Sequence, residues 1–305
     1  MRQALVQTLS ELAAVDGRII LLTADLGYSI LEPFAKKFPD RFLNVGVAEQ
    51  NMLGVATGLA EAGFIPFVYS IAPFASLRPY EFIRNGPILH HLPVRILGIG
   101  GGFDYEFSGP SHYSLEDIGV MRIQPGLRVI VPADHQQARS ALRATWDQPG
   151  PTYYRFGKDD QSIVPGLTGQ FELGKAQFVR DGKDIALVAM GSIALEAAKA
   201  AEDLQKQGVS VSLVIVASVN PPPGKDLAEH LSHFRQVVTV EEHYTVGGLG
   251  SLVAETTADH GLGCKVRRLG VAQPLDGTSG RRAVFNEKYG ISAPAIVRAC
   301  LEVLQ

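Results

Sequence analysis

Phe42-Leu43-Asn44-Val45-Gly46-Val47-Ala48-Glu49-Gln50-Asn51-Met52-Leu53-Gly54 is the stretch on which the fold turns. Its first half, Phe42 to Val47, is an apolar run of strand length and predicts a buried strand. Small and apolar residues follow without a long loop, predicting a helix from about Gln50 to Glu61. One carboxylate, Glu49, stands at the junction. Open α/β sheets bind ligands at the carboxyl ends of their strands. A poorly solvated carboxyl group there can share a proton with a bound base. The same position also suits an ordinary acid at a helix N-terminus, favoured by the helix dipole.

The chain of 305 residues is long enough for two domains. Hydrophobic content of 46% and charged content of 19% describe a globular protein with a sizeable core. A net charge of −3 gives no electrostatic case for nucleic acid or an anionic membrane. Cys264 and Cys300 are too few for a disulfide framework or a metal cluster, and read as small buried apolar residues. With no basic-then-apolar leader and no apolar run of membrane-spanning length, a cytoplasmic protein is expected.

Outward from the opening stretch, strands and helices alternate. A helix fits Ala4 to Val15, and Arg18 to Leu22 reads as a short buried strand ending near Asp25, a turn or cap residue on its face. Gly54, Gly58 and Ala62 fall on one side of the helix after Glu49. Glycine inside a helix costs about 1 kcal/mol relative to alanine, so close approach of another backbone is expected there. Ile65 to Tyr69 is a strand leading into Ser70-Ile71-Ala72-Pro73-Phe74-Ala75-Ser76-Leu77-Arg78. Pro79 to His91 reads as helix-like, with Arg78, Glu81 and Arg84 forming an ion-paired face. Pro93 to Ile99 is a strand ending in Gly100-Gly101-Gly102 and a loop to His112, where glycines permit close ligand approach. Leu127 to Asp134, a helix from about Gln136 to Trp146, and a strand over Pro151 to Lys158 complete this half. Turn formers from Ser162 to Gln170 place the linker. A second β/α series begins at Asp184 to Met190, with a helix over Ile193 to Gln207 and strands at Val209 to Val216, Gln236 to Val240 and Lys265 to Leu269. The architecture expected is α/β with two doubly wound domains, residues 1–165 and 175–305.

Gly46-Val47-Ala48-Glu49-Gln50-Asn51-Met52 resembles the G-V-x-E-x-x-M segment of transketolases and 1-deoxyxylulose-5-phosphate synthases. The resemblance extends over nearly the whole chain, as a pyrimidine-binding module followed by a transketolase C-terminal domain. It implies that Glu49 hydrogen-bonds the pyrimidine of thiamine diphosphate. Asp25-Leu26 matches a segment whose aspartate lies near the cofactor, and Ser29 a serine that contacts substrate phosphate. Phe74 occupies the position of an aromatic that stacks on the pyrimidine, while Ile71 and Leu77 stand where aromatics are usual. Gly109-Pro110-Ser111-His112 is similar to the family's D-G-P-T-H loop, whose histidine faces the reacting carbonyl. Ser108 replaces an aspartate that recognises a sugar hydroxyl, and Gly100 falls where another histidine is common. Arg155 and Lys158 match the Y-x-R-x-G-R strand end, whose last arginine holds substrate phosphate; either also reads as a solvated strand-end base. Lysine keeps that charge but loses the bidentate fork. Glu241-Glu242-His243 and Gly247-Gly248-Leu249-Gly250 resemble a C-terminal-domain segment serving folding and dimer contact.

The family's G-D-G…N-N element, which holds Mg2+ or Ca2+ on the cofactor diphosphate, does not occur in this chain. The resemblance therefore implies one half of a split enzyme, with an N-terminal-section subunit supplying the diphosphate domain and metal. This chain would form a homodimer within an α2β2 assembly, with the Gly54 helix packed on its twin. The reaction implied is transfer of a two-carbon ketol unit from a ketose to an aldose. A deoxyxylulose-phosphate-synthase-like carboligase, a 2-oxo-acid dehydrogenase beta subunit and a non-catalytic partner subunit stay open.

Overall fold

The computed structural model describes residues 1–305. Twelve strands form two sheets: Ile19–Thr23 (β1), Phe42–Asn44 (β2), Ile65–Ile71 (β3), Arg95–Ile99 (β4), Arg128–Ile130 (β5), Thr152–Phe156 (β6), Gln177–Arg180 (β7), Ile185–Met190 (β8), Val211–Ile215 (β9), Ser218–Asn220 (β10), Gln236–Tyr244 (β11) and Lys265–Val271 (β12). The first sheet runs β10-β5-β6-β4-β3-β1-β2 and the second β12-β11-β8-β9-β7. Pairing is parallel throughout except at β10 and β7, the antiparallel edges. Helices cover both faces, which is why β1, β3, β4 and β6 are buried along their whole length and read as unbroken apolar runs. The exception proves instructive: Arg95 opens β4 fully buried, and its guanidinium donates to the carbonyls of Trp146, Gln148 and Gly150. That satisfies a cation which burial would otherwise disfavour, and pins the turn that precedes β6.

Three sequence expectations are corrected. Phe42 to Val47 is not a buried strand. Only Phe42–Asn44 pairs, on the sheet edge; Leu43 is 40% exposed and Val47 75%. An edge strand has one neighbour, so its apolar residues have less to bury against. Pro79 to His91 is not one helix but a short α-helix, Tyr80–Ile83, running into a π-turn, Arg84–Ile88, that contains Pro87. Proline supplies no N–H to the ladder, and a wider turn accommodates it. Arg78 does not join Glu81 and Arg84 on a helix face; it turns inward to Glu49.

Ser218–Asn220 lies far along the second half of the chain yet pairs with β5 of the first sheet. One core of 31 buried residues runs through both halves, joining Val68, Ile96, Val129 and Tyr153 to Ala186, Val188 and Val214. Polar groups stitch the same seam. The Arg155 guanidinium donates to the carbonyls of Ser114 (2.6 Å) and Glu242 (2.7 Å). Arg282 forks onto Glu242 at 2.6 and 2.8 Å within the second half and reaches across to Asp104 of the first at 3.5 Å. Inside the second half, Glu241 accepts from the Leu249 and Gly250 N–H groups at 2.7 and 2.8 Å, closing the N-terminus of the helix Leu249–Asp259.

Candidate active site

The carboxyl ends of β1, β3, β4 and β6 lie side by side in the first sheet, and the loops that leave them form one rim. Glu49 begins the helix Glu49–Glu61 next to this rim and is 2% exposed. A carboxylate buried that deeply must be paired and hydrogen-bonded. The Ser70 hydroxyl, near the end of β3, donates to it at 3.3 Å, and Arg78 Nη1 lies 2.9 and 3.0 Å from its two oxygens. The same guanidinium stacks on Phe74, its carbon 3.7 Å from the ring centroid.

From Phe74 the site continues as a row of rings. His112 meets the Phe74 ring edge-on with centroids 5.1 Å apart. Tyr105 follows at 5.8 Å from His112, and the Lys158 ammonium lies 4.3 Å from the Tyr105 centroid. Burial, then the charge of Arg78, hold the His112 imidazole below its usual value, so the ring is neutral at neutral pH. A neutral imidazole can accept a proton or donate one from its N–H. Its Nδ1 is 3.0 Å from Ser111 Oγ. Burial pushes the Tyr105 phenol up to about 12, so it stays protonated and can donate. Burial, then the charge of Arg2, pull the Lys158 ammonium below the ordinary lysine value.

Glu49, Phe74, His112 and Lys158 thus fall into one connected row. Ile71, 6% exposed, forms the end of β3 beneath it. Asp25 stands at the end of β1 with φ +57°, its carboxylate accepting from the Asn44 amide at 3.0 Å and the Tyr28 hydroxyl at 2.8 Å. Those two bonds hold it below the usual carboxylate range. Ser29 is exposed, and its backbone N–H donates to Glu32 at 2.8 Å. Ser108 is exposed on a 3-10 turn, Glu106–Ser108, with its N–H on the Tyr105 carbonyl. Neither serine makes a ring contact or hydrogen bond with Glu49, Phe74 or His112. Arg155 requires correction as a substrate contact: it is 5% exposed, two carbonyls take its terminal nitrogen, and its Nε lies 3.3 Å from the buried Asp117. It is part of the seam between the halves.

Ser70, Arg78 and Tyr105 belong to the row; the sequence reading gave Ser70 and Tyr105 no role and set Arg78 with Glu81 and Arg84 instead of with Glu49. The only hint for Ser70 and Arg78 is that they bracket the Phe74 segment; nothing in the sequence aims Arg78 at Glu49. The chemistry of the Glu49 and Phe74 pair suits an aminopyrimidine, because a flat group with N–H donors already fits both of them in the form of the Arg78 guanidinium. No group of three or more His, Cys, Asp or Glu side chains lies close enough together to hold a metal ion. No helix is long and apolar enough to cross a membrane.

The transketolase pyrimidine-binding domain model matches residues 1–161, and the transketolase C-terminal domain model residues 174–296. A putative transketolase C-terminal section from Methanocaldococcus jannaschii is 37% identical over 100% of this chain and 96% of that one. The 6-deoxy-6-sulfo-D-fructose transketolase subunit of a Clostridium species is 36% identical over 100% of this chain and 94% of its own length. A solved split-gene transketolase, described as an inactive β4 tetramer, superposes with a TM-score of 0.88 at 36% identity over 99% of this chain and 97% of that one. With both domain models in order and relatives of matching extent, the chain belongs to the transketolase family, as a C-terminal section of the split type.

Proposed function

We propose that this chain is the pyrimidine-binding subunit of a split, thiamine diphosphate-dependent transketolase that moves a two-carbon ketol unit from a ketose, or ketose phosphate, to an aldose. The observation that carries this is the buried Glu49 carboxylate sharing one rim with the Phe74 face and the neutral His112 ring. When bound, thiamine diphosphate supplies the electron sink needed to cleave a carbon–carbon bond beside a carbonyl. The chain's own work is positioning and proton transfer. Glu49 holds a proton at the pyrimidine ring nitrogen and orients the ring. Phe74 packs on the ring face and Ile71 walls it. His112 moves a proton at the substrate carbonyl oxygen. Asp25 shapes the neighbouring rim with Asn44, and Lys158, beyond Tyr105, draws an anionic substrate end.

The diphosphate and its Mg2+ or Ca2+ fall to an N-terminal-section partner subunit, with a homodimer of this chain inside an α2β2 assembly in the cytoplasm. The relatives support a partner: they carry names of sections and subunits, and the solved one is an inactive tetramer of a single chain type. The open face of the helix Glu49–Glu61 supports the homodimer. Gly54 and Gly58 are exposed, and a Cβ on Gly58 would meet nothing within 4 Å. The substrate is left as a class, because Ser108 and Gly100 depart from the family's sugar-reading residues. The test is Glu49→Gln with the partner subunit present. The variant should bind thiamine diphosphate and turn over at least about a hundredfold more slowly. Unchanged turnover removes Glu49 from the mechanism.

A further inference from the structure

Arg78 does two things at once: it sits on both oxygens of Glu49, at 2.9 and 3.0 Å, and it stacks on Phe74 at 3.7 Å. These are the carboxylate and the ring face that an aminopyrimidine would use. A guanidinium and an aminopyrimidine share the relevant properties: both are planar, both present N–H donors in the plane, and both stack on aromatic faces. We infer that Arg78 is a placeholder of the pyrimidine subsite, which must swing out before a pyrimidine can settle between Phe74 and Glu49.

The inference rests on the reading of Glu49 and Phe74 as the pyrimidine platform, and adds a residue that controls access to it. Exposure fits the role. The Glu49 side chain is 3% exposed and that of Arg78 42%, so the acid lies beneath and the cation at the mouth. Arg78 and the adjoining Leu77 lie just beyond the helix Ala72–Ser76, and Leu77 is 37% exposed. The arginine can therefore turn toward solvent without opening the core. Its contacts are of the kind a ligand can replace. A partly exposed ion pair and an exposed cation–π contact are each weak. Together they keep a buried carboxylate from standing unpaired, which is the costly alternative. His112, edge-on to Phe74, is held below its usual value by burial and by Arg78 itself, so it adds no competing cation beside Glu49 at neutral pH. The cost to a ligand is simple: its apparent affinity falls by the fraction of time the subsite is open.

The test uses the full chain with 4-amino-2-methylpyrimidine as probe, titrated by ligand-observed NMR against wild type, Arg78→Gln and Arg78→Ala. Thermal melting confirms that the variants are folded; glutamine keeps side-chain length and hydrogen bonding while removing the charge. Both variants should bind the probe about tenfold more tightly than wild type, and adding Glu49→Gln to either should abolish the gain. Equal, weaker or undetectable binding by the folded variants overturns the placeholder. Thiamine diphosphate binding by the reconstituted two-subunit enzyme separates the two readings. A wild-type pair that binds cofactor while the Arg78→Gln pair binds no tighter defeats the placeholder alone; a wild-type pair that binds none defeats the cofactor reading itself.

Discussion

The ring of Tyr105 lies over Gly100 so closely that a Cβ built on Gly100 would fall on it. Gly100 also has φ +75°, a left-handed conformation that disfavours side chains. The position where the family often carries histidine is therefore closed here, and Tyr105 fills the volume beside His112 instead.

Gly100→Ala should destabilise the chain by about 2–4 kcal/mol, combining left-handed strain with overpacking. Adding Tyr105→Ala should relieve the overpacking share and leave the backbone share. Urea unfolding of the two variants measures both. A single alanine variant as stable as wild type would show that the ring does not occupy this space.

His112→Asn should lower kcat of the reconstituted enzyme by about a hundredfold or more, with thiamine diphosphate affinity unchanged. Burial and Arg78 depress the imidazole, so it must lose its extra proton below the ordinary histidine value. The acid limb of the kcat/KM profile should accordingly fall below about pH 6.5, and activity should drop only as pH goes beneath it. An asparagine variant that keeps the same acid limb would assign the limb to another group.

His243 sets a pH limit on stability rather than on catalysis. Its Nε2 accepts from the Gly119 N–H at 3.1 Å and its Nδ1 donates to the Tyr244 carbonyl at 2.6 Å. Burial lowers it to about 4. The folded chain then binds fewer protons than the unfolded chain between about pH 6.5 and 4, so stability falls as pH falls through that window. The loss should reach about 3 kcal/mol near pH 4. His243→Gln should flatten this part of the curve of melting temperature against pH. An unchanged slope in the variant would place the acid sensitivity elsewhere.

Arg155→Met should cost about 3–5 kcal/mol, because it leaves the Asp117 carboxylate and two carbonyls without their cation inside the seam. Chemical denaturation measures this directly. A variant of full stability whose only defect is a raised KM for a phosphorylated substrate would return Arg155 to the substrate site.

Gly58→Leu tests the open helix face. With nothing within 4 Å of its Cβ position, leucine should fit the isolated chain at little cost. Beside it Val55, on the same helix, and Phe82, 3.9 Å from the Cβ position of Gly54, are already exposed, at 36% and 44%. If a second copy packs there, the variant should shift from dimer toward monomer by light scattering while its melting temperature as a monomer holds. A variant that stays dimeric would move the homodimer to another surface.

The sequence made the repeating strand–helix order legible because strands buried on both faces are continuous apolar runs, as in Ile65–Ile71 and Ile185–Met190. The candidates Glu49, Phe74 and His112 came from short motifs: Glu49 begins the helix that follows β2, Phe74 lies on the helix that follows β3, and His112 lies on the 3-10 turn Pro110–His112 in the loop leaving β4. Arg78 was misread because helical spacing pairs it with Glu81 and Arg84, whereas burial of Glu49 creates a stronger demand for a cation. Arg155 looked like a strand-end base, but β6 is central and its end is covered by Glu242 from β11. The strand Ser218–Asn220 was invisible: three residues carry no period, and their partner β5 lies in the other half of the chain.

That borrowed edge strand limits how such proteins can be shuffled. A graft that exchanged everything after the turn-rich segment for a cousin's version would also exchange the last rib of the first sheet and the carbonyl of Glu242 that anchors Arg155. Chimaeras joined between the two halves should therefore assemble poorly unless both sides of that seam come from one parent.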